Sequence, residues 1–563
     1  MFPPHRYYYL HNFQRALAWV SDRYADLLDA DERRFLTDFP ALPQASQALM
    51  VRMLMRRGPW FRASRLVYEE IEGTEAAAAP LVALGWLDAH APMTLDELFA
   101  LHTKPELCRL FSGAVGGAGS EAPSAARAES LIKPTTRKSQ LLDALRATHD
   151  TPRSYSEWNP GAQEAVWRVM VGDLCERFRL MFFGNLHQDW SEFVLADLGV
   201  FQYETVPFDA SSRAFQTRAD VDAYRLLHAC RTALDEGAAT DTILAAVAGC
   251  VSQNAWLEKR RAKVLLRIGQ ACERAQDWAA AQAAYEHCAY PGARHRRIRV
   301  HERMARHDEA LALALHAQGA PESEEESQRV ARMLPRLYRA LGQGRPERAP
   351  TPVVPRTDLT LQRPATPASV EYVTRDYLHQ DDAPVHYVEN ALLNSLFGLL
   401  CWPAVFAPLP GAFFHPFQRG PADLDAPDFH DRRQALFADC LVQLDTPAYR
   451  DLILQRYADK AGLQSPFVFW GSLSETLLTQ ALDCLPPAHL KLVFTRLLRD
   501  VKTNRSGLPD LIRFWPSERR YELIEVKGPG DKLQDNQIRW LQYCVSHGMP
   551  VRVCHVSWQE GAA

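Results

Sequence analysis

The sequence predicts a multidomain protein, mainly α in its N-terminal and middle regions and ending in a C-terminal α/β domain. Three observations carry this. The chain has 563 residues, too many for one hydrophobic core. Apolar positions recur at spacings of three and four up to about Gly319. Beyond Leu508 that period gives way to the alternation of strands.

Composition sets the broad class. With 47% apolar and 23% charged residues, the chain reads as an ordinary globular protein. A formal charge of -4 neither requires nor excludes nucleic acid, because a balanced total can hide local basic surface. The eleven cysteines are scattered singly, as in a reducing compartment. The N-terminal MFPPHRYYYLHNF has no leader pattern, and no run approaches eighteen apolar residues. The expectation is a cytoplasmic protein with no membrane association, nucleoid-associated if bacterial.

Residues 1–110 read as helical. Residues 112–130 are rich in Gly, Ala and Ser and read as a loop, after which a helix restarts behind Thr136 or Ser139. From Gln163 to about Gly319 the pattern is again helical. There Trp278, Ala281 and Tyr285 have the spacing of a tetratricopeptide unit, and Ala310 and Ala314 take similar places behind His307. An ordinary helical hairpin accounts for the same residues equally well. The proline-dense stretch from Gly342 to Val370 reads as a linker.

The chemistry lies near the C-terminus. LPDLIRFW and YELIEVK, joined by PSERR, read as a β-hairpin; a helix follows from about Asp535 to His547, and VRVCHVSW supplies a further strand. Alternation along the second strand points Glu525 and Lys527 the same way and Val526 the other, while the hairpin brings Asp510 alongside. Two converging carboxylates make a hard-oxygen site for Mg²⁺ or Mn²⁺, one ion or two, and the carbonyl of Val526 could complete it. Such an ion acidifies water and offsets phosphate charge, and Lys527 would hold or deprotonate that water or neutralise the transition state. The competing reading, an edge strand with solvent-facing charges, does not explain why the Pro-Asp pair, hairpin, Gly528-Pro529-Gly530 turn and following helix occur together. The domain is read as a PD-(D/E)xK, restriction-endonuclease-like nuclease. A fourth acid is expected from a preceding helix, and Glu389, one turn into the apolar helix of YVENALLNSLFGLL, is the candidate; an exposed first-turn acid is the alternative.

NRSGLPDLIRFW, YELIEVKGPGDKLQDNQIRWLQYC and GMPVRVCHV together resemble the virus-type replication-repair nuclease domain carried by Fanconi-associated nucleases. Residues 53–71 and 179–199 are similar to other segments of that family. The resemblance implies a structure-specific DNA nuclease with 5′-flap endonuclease and 5′-to-3′ exonuclease activity, acting in interstrand crosslink repair. It also implies Glu389, Asp510, Glu525 and Lys527 as the catalytic set, with Gln537 on the helix behind them. The implied domains are an N-terminal helical DNA-binding region (1–90), a SAP-like module with its loop (91–150), a tetratricopeptide-like region (151–345), the Pro-rich linker (346–370) and the nuclease domain (371–563). The ubiquitin-binding zinc finger of animal relatives has no counterpart, since C-x-x-C pairs are absent; the chain is similar to a short bacterial-type version.

Branched DNA with a 5′ flap needs basic surface. Arg52, Arg56, Arg57, Arg62 and Arg65 lie in a stretch without an acid, beside Trp60, which could stack on bases. An amphipathic helix with core aromatics is the alternative. Lys133, Arg137 and Lys138 form a smaller group, and Lys502, Arg505 and Lys532 flank the hairpin. His415, Asp423, Asp425, Asp428, His430 and Asp431 fit no familiar ligand spacing and read as a polar loop. Two alternatives to the flap nuclease are a junction-binding helical-repeat scaffold with a nuclease-fold platform and a dimeric four-way-junction resolvase. Repair-protein partners could dock on the helical repeats; the oligomeric state stays open.

Overall fold

A computed structural model describes residues 6–113, 137–146, 148–190, 201–344, 352–364 and 366–559. Most of the loop expected at 112–130, and Lys133, lie outside the described residues. The chain divides into two compact units, residues 1–200 and 201–563.

The first unit opens with helices Tyr8–Tyr24, Ala30–Ala41 and Gln44–Leu54. The second of these starts on a capping box, in which the Asp29 side chain accepts the Glu32 N–H and Glu32 accepts that of Asp29. Its inner face presents Phe35 and Phe39, and Phe35 stacks on Trp86 at 4.5 Å between ring centroids. The region is mainly helical as expected, with one small sheet among the helices. Trp60–Arg62 (β1), Leu87–Asp88 (β2) and Val166–Val169 (β3) form an antiparallel sheet ordered β1-β3-β2. These strands are two to four residues long, too short to show a period. A separate core gathers Met93, Leu98, Leu107, Leu141 and Trp158, whose indole N–H donates to the Met93 carbonyl at 2.9 Å. Lys138–Arg146 is the helix expected to restart there.

The second unit begins with consecutive helices, among them Ala255–Arg274, Trp278–Glu286, Ala293–Arg303, His307–Gly319 and Glu324–Ala340. Small residues permit their close crossings: Ala281, Ala284, Ala310 and Ala314 are fully buried. At Gly269 an added Cβ would stand 2.4 Å from the Tyr285 ring.

The sheet that carries the site has five strands, Arg356–Leu361 (β4), Val385–Tyr387 (β5), Leu511–Trp515 (β6), Arg520–Lys527 (β7) and Val551–Trp558 (β8), in the order β4-β8-β7-β6-β5. β5, β6 and β7 are antiparallel neighbours, whereas β8 runs parallel to both β7 and β4. The expected hairpin is β6-β7, paired from Leu511 with Ile524 to Trp515 with Arg520, and helix Asp535–Ser546 leads on to β8. The linker expectation is corrected by β4, which lies inside residues 346–370. Its Thr and Leu residues suit a strand, and the prolines stay outside it; the Pro355 carbonyl accepts the Val553 N–H at 2.8 Å. One face of the sheet packs Ile512, Phe514, Tyr521 and Leu523 into the large core with Trp540 and the helix Leu392–Leu400. The other packs Leu511, Ile524 and Val526 against Val370 and Val373 of helix Val370–Leu378.

Candidate active site

Alternation on β7 puts Glu525 and Lys527 on the face of Tyr521 and Leu523, at the end of the strand where the large core stops. Asp510 immediately precedes β6. All three are withdrawn from solvent, with 6% of Asp510, none of Glu525 and 9% of Lys527 exposed. Lys527 Nζ stands 2.7 Å from Glu525 Oε1 as an ion pair, but neither Glu525 oxygen has an aligned hydrogen-bond donor. Asp510 Oδ2 accepts the Val526 N–H at 2.8 Å. Val526 itself turns its side chain to the opposite face.

Burial dominates the electrostatics. It pushes Asp510 up to about 6, with Glu389 and Glu371 adding to the rise against the Val526 N–H and Lys527. It pushes Glu525 up to about 7, reinforced by the charge on Asp510 and opposed by Lys527. Two acids held near neutrality without a full set of donors suit a hard divalent cation, which would supply the missing positive partner. Among the described residues, no three His, Cys, Asp or Glu side chains are already gathered around one point in ligating geometry. The carboxylates have the chemistry for such an ion.

Glu389 departs from its expected place. It lies in the turn after β5, before helix Leu392–Leu400, and is exposed. The left-handed conformation of Asn390, φ 52°, separates it from the helix. Tyr387 Oη donates to Glu389 Oε2 at 2.5 Å and Asn390 Nδ2 to Oε1 at 3.2 Å. Gln537 sits in the first turn of helix Asp535–Ser546, where its Oε1 accepts the Gln534 N–H at 2.9 Å; it caps the helix.

The basic residues separate into two kinds. Arg52 donates to Glu70 Oε1 at 2.6 and 3.0 Å and lies over the Tyr9 ring. Arg62 reaches Glu106 at 2.6 Å and Glu164 at 2.9 Å. The local stretch lacks acids, but the fold brings them from elsewhere, so these two arginines are not the unopposed charges expected. Trp60, 8% exposed, belongs to the core and offers no stacking face. Arg56, Arg57 and Arg65 are exposed, with Arg56 donating to the Arg65 carbonyl at 3.0 Å. Arg137 is exposed, and Lys138 Nζ donates to the His102 carbonyl at 2.7 Å.

In the second unit Lys502 and Lys532 are exposed, while Arg505 faces Asp425 at 3.3 Å. Sequence reading missed what surrounds Lys502. Desolvation, then the charges of Lys502, Arg267, Arg231 and Arg260, hold the Lys263 ammonium below its ordinary range. Only the helical spacing of Arg260, Lys263 and Arg267 hinted at this cluster. Acids of the polar loop from His415 to Asp431 pair with basic residues outside it: Asp423 binds Arg432 and Arg433, and Asp428 binds Lys259.

Known proteins give this arrangement a class. Family models match the FAN1 HTH domain at residues 7–88, the Fanconi anemia-associated nuclease SAP domain at 92–158 and the VRR-NUC domain at 446–558. The hairpin and its three residues fall in the last of these, whereas Glu389 lies before it. The chain is a DNA nuclease of the VRR-NUC type, a class that generally depends on divalent metal. It belongs to the Fanconi-associated nuclease family. It is 52% identical to the Fanconi-associated nuclease 1 homolog of Pseudomonas aeruginosa, over 99% of this chain and 96% of that protein. It is 24% identical to human Fanconi-associated nuclease 1, covering 98% of this chain and 62% of the longer human protein. A crystal structure of paFAN1 bound to DNA with a 2-nucleotide 5′ flap and a gap superposes with TM-score 0.89, covering all of both chains at 52% identity. No helix among the described residues is long and apolar enough to cross a membrane.

Proposed function

We propose that the chain cuts DNA at 5′ flaps and degrades it from 5′ ends, with Mg²⁺ or Mn²⁺, in the repair of interstrand crosslinks. The observation that carries the chemical part is the buried trio of Asp510, Glu525 and Lys527 at the end of one hairpin. The flap preference is supported by likeness to paFAN1, which was crystallised on 5′-flap DNA. Asp510, Glu525 and the Val526 carbonyl would hold the ion, with Glu389 as the outer ligand. When bound, it supplies Lewis-acid neutralisation of the scissile phosphate and lowers the pKa of water. Lys527 Nζ, paired with Glu525, would orient the attacking water and balance charge on the phosphate. Gln537 secures the helix that leads to β8. Arg56, Arg57, Arg65, Arg137, Lys502 and Lys532 are proposed to contact the backbone; Arg52, Arg62, Trp60 and Lys138 support structure. The N-terminal helical region and SAP-like module would hold the duplex, and the helical pairs would take repair partners.

Labelled 5′-flap, 3′-flap and four-way-junction DNAs incubated with Mn²⁺ test this, comparing wild type with Asp510→Ala. Preferential 5′-flap cutting lost in the variant, with flap binding kept, is expected. Equal cutting by both proteins would overturn the assignment, and preferential four-way-junction cutting would favour a resolvase.

A further inference from the structure

We infer that Asn390 and Tyr387 are positioning residues: they fix the orientation of the Glu389 carboxylate, and Asn390 ties its placement to the segment that carries Asp510. The inference rests on the reading of Glu389 as a cation ligand. An exposed glutamate has several rotamers, and fixing one of them for a cation costs side-chain entropy. Here both oxygens are engaged, Oε2 by the Tyr387 hydroxyl and Oε1 by Asn390 Nδ2. Each oxygen keeps a lone pair for a cation, and donors behind a ligating carboxylate fix its orientation.

The same two residues are fastened to β6 and to the segment with Asp510 that leads into it. Tyr387 pairs across the sheet with Leu511, and its ring stacks on Tyr372 at 5.0 Å. Asn390 Oδ1 accepts the Leu508 N–H at 3.2 Å, and its carbonyl accepts from Asn394 Nδ2 at 2.7 Å. Between them the Val388 N–H donates to the Asp510 carbonyl at 2.8 Å. The turn thus holds Glu389 from one side and the Leu508–Asp510 segment from the other. The left-handed φ of Asn390 would suit glycine better, yet glycine could make neither side-chain bond.

Asn390→Gly and Tyr387→Phe separate these roles, since the first keeps the turn and the second keeps the ring stack. Mn²⁺ titrations of the full chain without DNA, followed by the electron paramagnetic resonance of free Mn²⁺, would compare these with Glu389→Gln and with each pairing. Each single variant is expected to weaken Mn²⁺ binding about tenfold, the size of one lost charge-assisted hydrogen bond. On a Glu389→Gln background neither is expected to weaken it further. With saturating Mn²⁺, kcat falls while KM for DNA holds. If Glu389→Gln binds Mn²⁺ as wild type does, the reading of Glu389 as a ligand fails. If it binds weakly but both positioning variants match wild type, or lose equally on either background, the positioning role alone is overturned. Should Asn390→Gly fail to fold, Tyr387→Phe decides.

Discussion

The Val526 N–H donates to Oδ2 of Asp510 at 2.8 Å, so the strand that presents Glu525 and Lys527 also fastens the opposing acid. Asparagine at position 510 can still accept that bond through its amide oxygen, while alanine leaves a buried N–H alone, at a cost of about 1 to 3 kcal/mol. Asp510→Asn also removes one of two buried like charges. Asp510→Asn is expected to melt at or above the wild-type temperature, and Asp510→Ala several degrees below it. Both are expected to lose cleavage by about a thousandfold or more. Calorimetry and single-turnover flap cleavage check the two arms separately.

Burial raises both Asp510 and Glu525, so the native state binds their protons more tightly than the unfolded chain does. Their contribution is fully favourable below the unfolded carboxylate range near 4. It is lost as pH rises through about 6 to 7, at a cost on the order of 3 kcal/mol per group. A divalent cation bound by the ionised acids reverses that loss. The rise in Tm on adding Mn²⁺ is therefore expected to be small at pH 5.5 and large at pH 8. Glu525→Gln is expected to raise the metal-free Tm at pH 8 and to abolish the pH-dependent Mn²⁺ effect. A Mn²⁺ shift independent of pH would contradict the assignment of these acids to the ion.

What could be read from sequence was what is local. Asp510, Glu525 and Lys527 lie within one hairpin, whose period of two and turn residues stand together in the chain. β4 was hidden by the prolines around it, and its partner β8 lies almost 200 residues away. The same distance effect misled at Arg62, because Glu106 and Glu164 reach it only after folding. Glu389 was found by residue type but misplaced, since a left-handed asparagine leaves no periodic trace.

Arg62 and the arginine surface should respond differently to mutation. Arg62→Ala takes the guanidinium from two half-buried carboxylates, leaving Glu106 its Thr103 donors and Glu164 its Ser64 donors, and is expected to lower stability by about 1 to 2 kcal/mol. Changing Arg56, Arg57 and Arg65 together to alanine is expected to leave Tm within a degree or two. It should weaken flap binding and flatten its salt dependence by about 0.9 per lost phosphate contact. Thermal melts and binding isotherms at several salt concentrations distinguish the two. An unchanged salt slope would remove the three arginines from the footprint.

Gly269 lies under Tyr285, whose hydroxyl donates to Glu273 and so pins the ring. A methyl group 2.4 Å from that ring cannot be accommodated without moving one helix against the next. Gly269→Ala is expected to cost about 2 kcal/mol or more by calorimetry, outweighing the gain in helix propensity. Gly269→Ala on a Tyr285→Leu background should recover most of that loss. Equal costs on the two backgrounds would exclude the ring as the cause.

Lys263 and Lys502 come from helices more than 200 residues apart in sequence, yet each raises the local positive potential at the other. Asp235 answers Arg231 at 3.8 Å and Arg267 at 3.5 Å, one exposed carboxylate against a group of five cations. Holding such like charges together costs the free protein stability, and a phosphate placed among them would recover it. Lys263→Ala is therefore expected to raise Tm slightly in the absence of DNA and to lower flap affinity by about three- to tenfold. Lys263→Ala with Lys502→Ala should lose less affinity than the sum of the single losses, because removing one charge relaxes the other. Differential scanning fluorimetry without DNA and fluorescence anisotropy with it measure the two quantities. Full additivity together with an unchanged Tm would show that the lysines act independently.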